Sequence, residues 1–192
     1  MSIMMAVLRF LLFNIIISFF FLISCISTHH TFIKSELFPE SSRFIIVFPF
    51  ENLSSHQNGG EIATANFITE LRSAFPFKVL DAEFLVIKDT DDNSNINIET
   101  DLSLLNMYNK IKLAMRKKAD FIITGKVCEF KYKKGLGEEP VVGLNVQMID
   151  VKSRNIVWHS SISVTKGPFS IGEHSLNNYC QKAVYQMLKK IK

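Results

Sequence analysis

The sequence predicts an α/β (α+β) fold: a mixed, mostly antiparallel sheet with helices packed on it, in the order β-α-β-α-β-β-β-α. Three observations carry this. Residues 119–166 read as three strands joined by two short polar turns. Three other stretches place apolar residues at helical spacing. An apolar run, Arg43 to Phe50, has the continuity of a strand covered on both faces.

Taken in order, the chain of 192 residues begins with Arg9 and then Phe10 to Ile23, where only Asn14 and Ser18 are polar. That length suits the apolar core of a signal peptide and falls short of the 18 or more residues expected of a spanning helix. It ends in Leu22-Ile23-Ser24-Cys25, which resembles the bacterial lipoprotein box. The resemblance implies cleavage before Cys25 and acylation of its thiol. Residues 1–24 are then a lipoprotein signal peptide, and the acyl chains on Cys25 (palmitate among them) hold the protein on the bilayer. Ile26 follows where lipoproteins retained in the inner membrane carry Asp, so the expected location is the outer membrane, facing the periplasm. Residues 25–42 read as the lipidated Cys and a flexible tether, and 43–192 as one domain. Seventeen tether residues reach at most ~60 Å.

Pro49 stops the first strand. The loop to Gly59-Gly60 reads as an ordinary turn, and a helix follows over 61–75, with Phe67, Ile68, Leu71 and Phe75 at helical spacing. Phe77 to Leu80 is a short strand. The polar run 88–100 echoes the start of a calcium loop at Asp89, Asp91 and Asn93. Ser94 and Thr100 break the pattern, which leaves a solvated acidic loop. A second helix over 101–118 puts Leu104, Tyr108, Ile111 and Met115 on one stripe. Arg116, Lys117 and Lys118 complement its C-terminal dipole.

The meander supplies much of the core, at roughly 1.5–3 kcal/mol for each large apolar side chain buried. Val142, Leu144, Val146 and Met148 alternate with Gly143, Asn145 and Gln147. In the third strand Ile156, Trp158, Ile162 and Val164 alternate with Val157, His159, Ser161, Ser163 and Thr165. One apolar and one polar face argue for a sheet covered on one side. Gly167-Pro168 ends the meander, and the last helix, from about Glu173, carries Leu176, Tyr179, Cys180, Ala183, Val184, Met187, Leu188 and Ile191 on a regular stripe. Cys128 and Cys180 either pair in a disulfide, as an envelope location allows, or stay as two separate buried thiols, which is the preferred reading.

A formal charge of +4 without Arg/Lys clusters interleaved with aromatics gives no case for nucleic acid. No nucleophile elbow or metalloprotease helix occurs, and Gly135-x-Gly137 belongs to a turn. His29-His30 lacks further ligands. The expectation is a protein that is not an enzyme, with no catalytic residue, no metal, no cofactor and no small-molecule substrate.

Three segments resemble the superfamily of the curli-secretion lipoprotein CsgG and the penicillin-binding-protein activator LpoB. Ile45 to Ser54 is similar to its opening strand and "PFxNxS/T" turn. Ala119 to Val127 is similar to "ADYxxxGxI", and Gln147 to Trp158 to "LxDxxTGxxxW". Ser153-Arg154 stands where the family has Thr-Gly. The resemblance spans about residues 43–191 and implies a fold rather than a catalytic site. It also implies two roles. One is a structural or accessory part in an envelope or secretion assembly, made through contacts with other envelope proteins or further copies of itself. The other is activation of a peptidoglycan synthase. Neither 129–141 nor 88–100 is long or apolar enough for the membrane hairpins of a pore.

Overall fold

The computed structural model describes residues 28–34, 43–83, 102–134, 138–166 and 175–191. The lipobox Leu22, Ile23, Ser24 and Cys25, the acidic loop at 88–100 and the turn at 135–137 lie outside them. In chain order the elements are β1 (Thr28–Ile33), β2 (Phe44–Val47), β3 (Glu51–Asn52), α1 (Gly59–Ala74) and β4 (Lys78–Asp81). They continue with α2 (Met107–Arg116), β5 (Phe121–Lys134), β6 (Glu138–Asp150), β7 (Ile156–Thr165) and α3 (Leu176–Lys189).

One seven-stranded sheet runs β1-β7-β6-β5-β2-β4, with β3 beside β5. The β5-β6-β7 meander is antiparallel, while β2 lies parallel to both β4 and β5. The expected mixed, mostly antiparallel α/β fold is the observed one. α1 and α3 cover one face, where Phe67 and Leu71 meet Trp158, Met148, Cys180 and Met187 in the main core. α2 covers part of the other face, over Ile46, Phe48, Ile122 and Ile149. That explains the apolar run at the start of the domain: Ile45 and Val47 enter one core, Ile46 and Phe48 the other.

Each family-like segment makes a join. Asp120 Oδ2 accepts the Phe44 amide at 2.9 Å and Oδ1 faces Arg43 Nη1 at 3.5 Å, tying β2 to the start of β5. Asn52 Oδ1 accepts from the Ser54 amide and hydroxyl at 3.1 and 2.7 Å. Its Nδ2 donates to the His56 carbonyl at 2.7 Å, so the loop into α1 wraps one side chain. Gly59 and Gly60 are not a free turn. They form the buried first turn of α1, where a Cβ on Gly60 would stand 2.6 Å from the Phe50 carbonyl oxygen. Asp150 accepts the Ser153 amide from its side chain and the Arg154 amide at its carbonyl, closing the β6-β7 turn.

Arg154 sits in that turn at φ 60°. A left-handed L-residue costs roughly 1–2 kcal/mol, and glycine returns up to about 1 kcal/mol through the entropy of the unfolded chain. Arg154→Gly is therefore expected to stabilise by up to about 1 kcal/mol, read as a higher urea midpoint with unchanged slope.

Four expectations are corrected. Residues 28–33 are a strand rather than tether, paired antiparallel to β7 from Thr28↔Ser163 to Ile33↔Trp158. Only Ile26 and Ser27 then separate Cys25 from the sheet. The second helix starts at Met107, where Asn106 Oδ1 caps the Asn109 amide at 2.9 Å. A register shift between Met148 and Ile149 pairs Ile156 with Ile149, so Ile156 leaves the face of Trp158 and Val157 takes its place in the core. Cys128 and Cys180 are separate free thiols, as preferred, rather than a disulfide, but only one of them is buried. Cys180 is buried on α3, its thiol pushed up to about 12 by desolvation against a weaker opposing hydrogen bond from Asn66. Cys128 is exposed, not buried, at the shift between Val127 and Glu129.

β1 is held by more than its ladder. His29 Nε2 lies 2.9 Å from Ser160 Oγ and 2.8 Å from Thr31 Oγ1, with Ser160 fully buried. Burial lowers the His29 pKa, and the charges of Lys190 and His30 lower it further, so the neutral ring is the docked form. A depressed histidine contributes stability that is present above its unfolded pKa of about 6.5 and lost as pH falls through the lower native value. Acidification below about 6.5 should selectively cut hydrogen-exchange protection over residues 28–34, with β6 amides unchanged. His29→Gln should abolish that difference.

Candidate functional site

The sheet face that carries α2 is polar beyond the helix. Cross-strand register places Thr124, Gln147, His159 and Phe32 in one row, and Lys126, Asn145, Ser161 and His30 in the next. A groove of about 340 Å3 lies where these rows meet the start of α2, lined by Glu51, Leu104, Met107, Lys110, Thr124, Lys126, Asn145 and Gln147.

Its polar groups engage one another. Lys126 Nζ is 2.9 Å from Glu51 Oε2, Gln147 Nε2 donates to Thr124 Oγ1 at 3.2 Å, and His159 Nε2 lies 3.1 Å from Asn145 Oδ1. Lys110 is buried with its ammonium 5.5 Å from the centre of the Phe48 ring, donating to the Ser103 carbonyl at 3.0 Å. Among the described residues the groove holds no adjacent pair of carboxylates. Among the described residues no three of His, Cys, Asp and Glu gather as a metal-binding group.

The remaining feature is apolar exposure. Leu104 and Tyr108 are each 66% exposed, Met115 57%, Phe32 54%, Ile156 44% and Met107 37%. All six lie on the α2 face, the last three by register with His159, by pairing with Ile149 and by lining the groove. The expected stripe of Leu104, Tyr108, Ile111 and Met115 is thus rotated. Only Ile111 faces the core, and the buried line is Lys110, Ile111 and Ala114. The aliphatic stem of Lys110 serves as core here with its head over Phe48, which a reading that scores Lys as polar misses.

Comparison with known proteins comes from structure alone: no family model and no curated protein matches the chain. Among solved structures, the PelC dodecamer from Paraburkholderia phytofirmans superposes with a TM-score of 0.62 at 19% identity, over 85% of this chain and 95% of that one. Lipoprotein GNA1162 from Neisseria meningitidis gives 0.57 at 19% identity, over 77% and 99%. The LpoB C-terminal domain from Salmonella enterica gives 0.52 at 14% identity, over 68% and 87%. The chain has the LpoB-like fold. At these identities the likeness is one of fold, and it meets the sequence resemblance at LpoB. Within the LpoB-like fold, the family-like residues Asn52, Asp120, Gly125, Asp150 and Trp158 serve the scaffold. Of the six exposed apolar residues on the α2 face, only Ile156 falls within one of those segments. From Leu102 to Lys118 there are five Lys and Arg and no Asp or Glu, which marks the helix as basic but not which of its apolar residues stay exposed.

Among the described residues, no helix is long and apolar enough to cross a membrane.

Proposed function

We propose that this chain is a non-enzymatic, lipid-anchored envelope lipoprotein of the outer membrane that faces the periplasm. It acts through protein–protein contacts as a structural or accessory component of an envelope or secretion assembly. The observation that carries the reading is the superposition on nearly the whole of PelC, whose solved form is a dodecamer. The lipobox at Cys25 and the mutual engagement of the groove's polar groups support it.

Activation of a peptidoglycan synthase is the second reading, favoured by the match to the LpoB C-terminal domain. The short link weighs against it: with β1 in the sheet, the three residue steps from Cys25 to Thr28 span no more than ~11 Å. A synthase partner would have to come to the membrane surface.

The test is a gentle-detergent pull-down of the full-length protein beside Cys25→Ala, analysed by mass spectrometry. Secretion or outer-membrane components, or several copies of the chain, are the expected recovery. A penicillin-binding protein instead would promote the second reading. Membrane retention of Cys25→Ala with nothing co-purified would sink both.

A further inference from the structure

We infer that the α2 face is a docking surface for an anionic lipid membrane, the bilayer that holds the lipid anchor. The inference rests on the anchored-lipoprotein reading and adds to it the surface the domain turns towards the bilayer.

Three independent observations point there. Six of the nine exposed large hydrophobics among the described residues share this one face; only Leu53, Tyr132 and Tyr185 do not. Single exposed apolar residues need no explanation, whereas a one-sided set rimmed by polar groups marks an interaction surface. The charge is one-sided as well. On α2, Tyr108 and Met115 stand two turns apart on the outer flank, with exposed Lys112 one turn after Tyr108 and exposed Arg116 one turn after Lys112, and the helix holds no acid. Of the carboxylates on this side, Glu51 is paired with Lys126 at 2.9 Å and Glu129 with Lys131 at 3.3 Å, and Glu139 stands opposite Lys133 by register. An apolar flank bordered by cations fits an interface whose outer layer is anionic headgroup and whose inner layer is acyl chain.

The third observation is the anchor's reach. Since β1 begins at Thr28, the acylated Cys25 would hold the domain within ~11 Å of the headgroups. At that effective concentration a weak intrinsic affinity suffices. β1 also brings Phe32 to the same face. A domain docked this way lies flat on the bilayer and keeps α1 and α3 turned outward, free for protein contacts.

The experiment uses the full-length, lipidated chain in vesicles with brominated acyl chains. One set is phosphatidylethanolamine–phosphatidylglycerol, the other phosphatidylcholine alone. Tyr108→Trp reports from the α2 flank and Tyr185→Trp from α3, over a common background from buried Trp158. Co-flotation with the vesicles reads anchoring separately. The expected result is that the probe at 108 loses most of its emission in the anionic vesicles and less in phosphatidylcholine, while the probe at 185 stays bright. Lys112→Gln and Arg116→Gln should each shift the docked-to-undocked ratio about fivefold towards undocked. A probe at 108 as bright as the one at 185, in protein that co-floats, overturns the docking and leaves the lipoprotein reading standing. A chain that does not co-float with Cys25 intact defeats that reading and the docking with it.

Discussion

Replacing Trp158 by alanine should destabilise the domain by about 3–5 kcal/mol, the range for emptying a large aromatic site in a packed core. Trp158 is among the largest fully buried side chains, opposite Met148 on β6 and Ile33 on β1. Its ring centre lies 6.3 Å from that of Phe67 on α1, so it joins three strands to the helix layer. Against a total of roughly 5–15 kcal/mol for a domain, the loss should lower Tm by about 6–20 °C in a calorimetric scan. The buried indole Nε1 has no hydrogen-bond partner among the described residues. An unsatisfied donor of that kind costs about 1–3 kcal/mol. Trp158→Phe removes it along with some volume, and should cost clearly less than Trp158→Ala. Equal losses would mean that the indole nitrogen is satisfied after all.

Gly125→Ala should cost about 1–3 kcal/mol, although one methyl is all it adds. A Cβ at 125 would stand 2.7, 2.8 and 2.9 Å from three carbons of the Phe50 ring. Phe50 cannot swing aside. Its ring packs on Phe67 at 5.4 Å, and its amide donates to Thr64 Oγ1 at 2.9 Å. The two family-like segments that supply Phe50 and Gly125 are therefore one packing unit. If so, Phe50→Leu should partly rescue Gly125→Ala, giving a coupling of about 0.5–3 kcal/mol in a double-mutant cycle by urea unfolding. Additive losses would contradict the unit.

The fold was legible wherever burial alone decides an element. Period-2 alternation placed β6 and most of β7, because each strand has one face on α1 and α3. The helical stripe of α3 was legible for the same reason. What escaped the sequence was decided by long-range geometry. THHTFI at 28–33 has neither the alternation nor the apolar content of a core strand; β7 makes it one by offering an open edge and Ser160 to His29. The shift at Met148/Ile149 turned Ile156 over, and no residue type there announces a bulge. α2 was found as a helix but rotated, since Lys110 over Phe48 took the place of an apolar residue. The candidate site suffered most. Its exposed Leu104, Tyr108 and Met115 look like core in a sequence, and only packing shows that the core has no room for them.

A domain that works by binding other copies or other envelope proteins should be caught with them by chemical cross-linking in intact cells, followed by detergent extraction and mass spectrometry of the full-length protein. The expected result is a ladder of copies, or defined adducts with envelope proteins, through residues of α1, α3 or the sheet edges. A lone, uncross-linked copy at every cross-linker length would contradict it.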